Sequence, residues 1–345
     1  MPDAYIHDLN PILIQFGEAI AIRWYGIAYL AGFIAGYFLL KYLSRKKLFP
    51  VPEEKMGDFI TWAAVFGVII GGRLGYVLFY MIPNDWDNFI THPWEAFYLQ
   101  QGGMSSHGGM IGIILFAIFY AKRHKYDWTS ILDGLAIVAP VGLFFGRIAN
   151  FINGELYGRV VHGASSFGMK FPGEFNDSFH LRFKTMSAIR EKLTPETLSE
   201  VNHLNPIPHA NDPFCSAWLV SRVRDTPEIK KIVGDILPER YPSQLYEGLV
   251  EGLILFAILW ATRLFWKKAW NGVFCGIFCI VYAIGRIIVE NYREPDVGAA
   301  LWMGLTRGQF LSVFLIFMGI GFFIYAILTK KELLALPKDA NTSTK

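Results

Sequence analysis

The chain has 345 residues, 53% hydrophobic and 18% charged, more apolar and less charged than soluble domains usually are, so a membrane protein is expected. A formal charge of +3 is too small for a nucleic-acid partner, whose binding rests on many clustered phosphate contacts. Cys215 lies far from Cys275 and Cys279, which excludes a disulfide framework, and no Cys and His cluster has metal-ligand spacing, so neither metal nor cofactor is expected.

The first 18 residues lack a basic n-region and a small-residue cleavage site, so the first apolar run is expected to stay as a permanent span. Seven runs reach the roughly 17–25 residues needed to cross hydrocarbon: 19–40, 57–82, 108–121, 131–153, 243–265, 272–291 and 308–329. The third is short as drawn, and the glycine-rich stretch 102–112 is expected to enter the bilayer edge as a loop buried by protein. Basic residues cluster in alternate connections, at Arg45, Lys46 and Lys47, at Lys122, Arg123 and Lys125, at Arg263, Lys267 and Lys268, and at Lys330 and Lys331. The positive-inside rule makes these cytoplasmic, the N-terminus external and the C-terminus internal.

The fold class expected is an all-α polytopic membrane protein with seven transmembrane helices and a small mixed periplasmic head. Residues 1–154 hold helices one to four with a re-entrant polar loop near 83–109, residues 155–240 the head, 241–330 helices five to seven, and 331–345 a cytoplasmic tail.

An ionisable residue inside a span costs at least about 2.5–3.5 kcal/mol at the helix centre, so each one needs a reason. Read against the predicted orientation, Arg23 and Tyr25 lie near the outer start of span one and Arg73 beyond the middle of span two. His107 stands at the outer entrance of span three, and Arg147, Asn150 and Asn153 in the outer third of span four. Gln244, Glu247 and Glu251 open span five, and Tyr282, Arg286 and Glu290 lie in the outer half of span six. Costly groups on separate helices thus fall at one depth, and one shared polar site is the economical explanation. Arg286 and Glu290 are i and i+4, as are Glu247 and Glu251, and Arg147 and Asn150 are i and i+3, so each pair shares a helix face. The planar, permanently charged fork of arginine matches phosphate, which makes an anionic phospholipid head the natural ligand. For Arg73 an ion pair with a span-five carboxylate is the competing reading, for Arg23 snorkelling to the interface, and for Glu247 a supporting role beside the arginines.

Several strings resemble one family. GRIANFINGELYG at 146–158 is similar to the signature of the prolipoprotein diacylglyceryl transferases, and RWYG at 23–26, GGRLGYVLFY at 71–80, GGMSSHGG at 102–109, YPSQLYE at 241–247 and the run from Gly285 and Arg286 through Glu290 to REPD at 293–296 accompany it in order. The signature more often has Gly where Ala149 stands and Trp where Tyr157 stands, and roughly 176–235 matches nothing recognised. The resemblance implies a multi-pass enzyme of the bacterial inner membrane with phosphatidylglycerol as lipid donor and the lipobox cysteine of a prolipoprotein signal peptide as acceptor. It implies a site built on Tyr25, His107, Arg147, Asn150, Gly158, Tyr282, Arg286 and Glu290. The reaction implied is in-line attack of a thiolate on the glyceryl carbon that bears the phosphate, with glycerol phosphate leaving. His107 is then the candidate base, with Tyr25 next, Arg147 and Arg286 hold the phosphate, Asn150 and Tyr282 orient the head, and Glu290 fixes Arg286. Competing classes are a phospholipid or anion transporter, which commonly shows repeats not detected in this sequence, and a receptor-like or scaffolding membrane protein whose head binds a partner and whose buried charges are only ion pairs.

Overall fold

A run of some twenty apolar residues satisfies its backbone internally as a helix, the arrangement that survives in lipid. The computed structural model describes residues 4–17, 20–84, 86–98, 103–162, 167–204, 207–294 and 304–332, and among these five helices are long and apolar enough to cross a membrane. They are Trp24–Arg45, Glu53–Met81, Trp128–Asn153, Ser243–Phe265 and Gly308–Thr329. The other two expected spans correspond to Ser106–His124, whose last turn carries Lys122, Arg123 and His124, and to the shorter apolar helix Val273–Val289. Residues 85 and 99–102 of the expected re-entrant loop, Pro295 and Asp296 of the REPD string, and 333–345 of the expected tail lie outside the described residues.

The glycine-rich stretch expected to enter as a loop is helical from Ser106 onward, and a second expectation is corrected at the start of span one. Its helix begins at Trp24, because Ile20–Arg23 is a strand paired antiparallel with Ile12–Phe16. Hydropathy reads Ile20 and Ile22 as helix, but they alternate with period two and find a partner strand.

The chain forms two compact units. The second comprises Leu30–Leu143, Glu251–Ile284 and Leu311–Lys345. Its core gathers Leu40, Leu43, Phe49, Phe59, Phe116, Ile131, Leu255, Leu259 and Phe274. Helices Glu53–Met81 and Ser106–His124 meet there through small residues, and a side chain on Gly71 would stand only 2.8 Å from the Gly108 carbonyl oxygen and 2.9 Å from Gly112 Cα. Buried Asp133 accepts from the backbone N–H groups of Gly272 (2.6 Å) and Cys275 (2.9 Å), which caps the start of Val273–Val289. Buried Arg263 donates to the Leu48 carbonyl at 2.6 Å and stacks 5.0 Å from the Phe274 ring.

The first unit comprises Met1–Tyr29, Phe144–Val250 and Gly285–Phe310. Helices Phe179–Lys192, Pro195–Leu204, Cys215–Asp225 and Pro227–Ile236 pack around Phe175, Met186, Ile189, Trp218, Leu219 and Val233. Strand Tyr5–Ile6 pairs in parallel with Met169–Lys170, and Lys230 reaches Asp8 at 2.6 Å, so the N-terminal segment is tied to this helical layer. His7 is buried between Phe151 and Phe171, with ring centroids 5.4 and 5.5 Å away. Burial lowers its pKa below the usual 6.5, so the neutral ring is the form that folding favours. Stability from this site is complete above pH 6.5, the unfolded value, and is lost as pH falls towards the lower folded value. Thermal unfolding midpoints recorded from pH 7.5 down to about 5 are expected to decline more steeply in the native protein than in His7→Gln. Equal declines would mean that His7 contributes nothing to acid sensitivity.

Candidate active site

The helix Trp128–Asn153 ends in the first unit with Arg147 and Asn150 one turn apart, and its termination is set by the sequence that follows. Gly154 takes a left-handed φ of +67°, its N–H bonds the Phe151 carbonyl, and the Glu155 N–H bonds the Asn150 carbonyl at 3.2 Å. Glycine at this position closes a helix without a Cβ penalty. The closure folds Glu155 back over the last turn, where the Asn150 amide donates to the Glu155 carboxylate at 2.7 Å and to the Tyr25 hydroxyl at 3.0 Å.

The start of Ser243–Phe265 is fastened to the same segment. Ser243 donates to the Leu156 carbonyl at 2.9 Å and Gln244 to the Glu155 carbonyl at 2.5 Å, which places Glu247 one turn further in. Its side chain is 1% exposed and accepts from three guanidinium groups. Arg147 Nη2 lies 2.6 Å and Arg286 Nη1 3.0 Å from Oε2, while Arg293 Nη1 lies 3.2 Å from Oε1. Arg286 also reaches Glu290 at 3.1 Å, and the other oxygen of Glu290 accepts from the Thr306 hydroxyl at 2.7 Å. Gly158 is packed so closely that a side chain there would collide with the carbonyl oxygens of Tyr241 and Tyr292.

Of the residues singled out from sequence, Tyr25, Arg147, Asn150, Gly158, Glu247, Arg286 and Glu290 all belong to this unit, and the arginines share one carboxylate. Arg73, His107 and Tyr282 belong to the second unit. There, Arg73 donates to the backbone carbonyls of Ala96 (2.7 Å), Gly103 (3.0 Å) and Glu95 (2.6 Å), fastening the turn Pro93–Phe97 and Gly103 to its helix. His107 is exposed in the first turn of Ser106–His124, where Ser105 accepts the Gly108 N–H at 3.2 Å. Tyr282 stacks on Phe278 at 5.7 Å.

Sequence reasoning passed over Glu155 and Arg293 as site residues. Glu155 stands inside the 146–158 string, and Arg293 follows Arg286 and Glu290 at i+7 and i+3, so helical spacing carries the signal for the second. Among the described residues no group of three or more His, Cys, Asp and Glu could hold a metal ion. The cysteines Cys215, Cys275 and Cys279 are free and buried, and burial pushes the Cys215 thiol up, away from nucleophilic character.

The family model described as prolipoprotein diacylglyceryl transferase matches residues 11–325. The chain belongs to the prolipoprotein diacylglyceryl transferase family. Relatives called phosphatidylglycerol--prolipoprotein diacylglyceryl transferase include one from Bdellovibrio bacteriovorus, 33% identical over 96% of both chains. Another, from Rickettsia bellii, is 36% identical over 91% of this chain and 94% of its own. A third, from Neisseria gonorrhoeae, is 34% identical over 92% and 96%. Membership places the five long apolar helices in a multi-pass membrane protein.

Removing Glu247 leaves three arginines without their common acceptor. Breaking a buried ion pair in this way costs about 3–5 kcal/mol, whereas an exposed pair is worth about 0–1 kcal/mol. Glu247→Ala is therefore expected to lower the thermal unfolding midpoint in detergent far more than Lys230→Ala, which breaks a partly exposed pair. Equal midpoints in the two variants would contradict the central role given to Glu247.

Proposed function

We infer that this chain transfers the diacylglyceryl group of phosphatidylglycerol to the cysteine thiol of a prolipoprotein, the first step in making a bacterial lipoprotein. Family membership over nearly the whole chain and the names of relatives matched end to end support the reaction. The observation that carries the site is the convergence of Arg147 and Arg286, from separate helices, on Glu247.

In this reading the enzyme sits in the bacterial inner membrane with seven spans. Residues 155–240 form a periplasmic head, the N-terminus is periplasmic and the 331–345 tail is cytoplasmic. The alternation of basic connections supports the orientation, and the helices Ser106–His124 and Val273–Val289 supply the two spans beyond the five that meet the length and hydropathy requirement. The acceptor is the lipobox cysteine of a signal peptide, and surrounding lipids supply the donor by lateral entry.

Arg147 and Arg286 hold the donor phosphate, with Glu247 and Glu290 keeping their forks aimed. Asn150 and Tyr282 orient the lipid headgroup by hydrogen bonds, Tyr25 and Gly158 complete the set, and Arg73 is a further donor contact. The acceptor thiol, with a pKa near 8.5, gives its proton to a base, for which His107 is the candidate and Tyr25 the next. The thiolate attacks the glyceryl carbon, the carbon–oxygen bond to phosphate breaks, and glycerol phosphate leaves with the electron pair. Positive charge fixed at the phosphate stabilises that leaving group in a low-dielectric setting. The nucleophile belongs to the acceptor, in keeping with the burial of all three cysteines of this chain.

Arg147→Ala and Arg286→Ala are expected to abolish transfer from labelled phosphatidylglycerol to a lipobox peptide while the protein still inserts. Arg147→Lys should restore little, because an ammonium lacks the planar fork. A transporter or scaffold would leave the peptide unmodified in the same assay. Near-normal turnover by purified His107→Gln would pass the base role to another group.

A further inference from the structure

Three chain segments that flank the arginine–carboxylate cluster meet in a small backbone ladder. Residues 158–161 follow the helix of Arg147, residues 239–241 precede the helix of Glu247, and residues 292–294 follow the helix of Arg286. Gly158 N–H bonds the Tyr241 carbonyl at 2.8 Å, Arg159 N–H bonds the Tyr292 carbonyl at 2.8 Å, and Gly158 bridges Arg293. The ladder thus ties together the ends of the elements whose side chains share Glu247.

One side chain crosses all of it. Arg240 donates to the Gly158 carbonyl at 3.1 Å, to Glu294 at 3.2 Å and through Nε to Glu174 at 2.7 Å, with a second bond to Glu174 from Nη2. Its guanidinium also stands 5.0 Å from the Tyr157 ring centroid. Glu174 is itself buried in the short helical turn Pro172–Asn176, next to Phe175 of the helical layer's core. Arg240 is only 11% exposed, so its cost of desolvation is offset by this bidentate carboxylate and its neighbours.

We propose that Arg240 is a positioning residue for lipid transfer: through Gly158, Glu294 and Glu174 it sets the mutual register of Arg147 and Arg286 around the donor phosphate. Arg240 touches none of the reacting atoms in this scheme. It acts by fixing where segments 158–161 and 292–294 lie relative to the start of Ser243–Phe265, and a guanidinium displaced by about 1 Å loses its phosphate contact. This rests on the phosphate-binding reading above. Its distinctive consequence is that weakening the crosslink should impair the donor lipid selectively and spare the acceptor peptide.

The test uses the full-length enzyme in detergent micelles, with KM measured separately for phosphatidylglycerol and for a lipobox peptide. Arg240→Lys keeps the charge and loses the fork; it is expected to raise KM for phosphatidylglycerol about tenfold with KM for the peptide unchanged. Glu294→Gln removes the charge of a half-exposed partner, 47% accessible, and decides the matter should Arg240→Lys fail to fold. Its KM for phosphatidylglycerol is expected to rise about threefold. Lys230→Met, which breaks an ion pair elsewhere in the same unit, serves as the control and should change neither constant. A drop in folded fraction or in kcat with both KM values native would make Arg240 a strut of the fold and overturn the proposal. Arg147→Ala, run alongside, separates the two ideas. Were it to keep turning over phosphatidylglycerol, the phosphate site itself would fail. If it is inactive while Arg240→Lys and Glu294→Gln bind donor normally, only the positioning role fails.

Discussion

Glu247 is the constraint on which the first unit depends. Three guanidinium groups, from the end of Trp128–Asn153, from Val273–Val289 and from the residues just after it, approach one carboxylate that is almost wholly withdrawn from solvent. Charges this far from water are tolerated when paired, and a single carboxylate pairs all three, so the helices that carry them are obliged to converge. The arrangement also fits the proposed chemistry. A cluster built only of arginines would repel itself in the absence of lipid, whereas Glu247, with Glu290 behind Arg286, keeps the forks oriented before an anionic headgroup arrives.

The termini of those helices are held as firmly as their middles. The left-handed Gly154 turns the chain back so that Glu155 meets Asn150, and the next residues anchor Ser243 and Gln244. Nearly ninety residues intervene between Leu156 and Ser243, yet the two are hydrogen-bonded across 2.9 Å. Loop-closure entropy grows only slowly with loop length, so an insertion whose ends are stapled in this way can be large and can carry its own core at little cost to the elements beneath it. The four helices around Phe175 and Trp218 are such an insertion.

Much of the site was legible because polar residues in apolar runs are expensive. That reasoning located Arg147, Asn150, Glu247, Arg286 and Glu290 and put them at one depth, and these five are joined through Glu247 or through the turn that follows Asn150. It passed over Arg293 and Glu155 because both lie just beyond an apolar run, where a charge costs little and raises no question. The hairpin of Ile12–Phe16 and Ile20–Arg23 was hidden for a related reason. Window-averaged hydropathy does not distinguish four alternating residues from the first turn of the helix that follows them. Arg73 illustrates a third limit: the carbonyls of Glu95, Ala96 and Gly103 are backbone acceptors, and no side-chain pattern announces them.

The choice of arginine over lysine follows from the same geometry. A lysine ammonium could neutralise Glu247, but it is a point charge that orients nothing, whereas a guanidinium presents donors along two edges in a fixed plane. Arg286 uses one nitrogen on Glu247 and another on Glu290, so its plane is fixed by two carboxylates from different parts of the chain. Arg147 is fixed by Glu247 and by the close approach of Gly248, where a side chain would stand 3.4 Å from its Cβ. Orientation of this kind has to be established by the protein before substrate binds, since catalysis by fixed charge is effective to the extent that no reorganisation remains to be done at the transition state. The burial that makes these groups costly to fold is therefore the same condition that the proposed reaction needs around its departing phosphate.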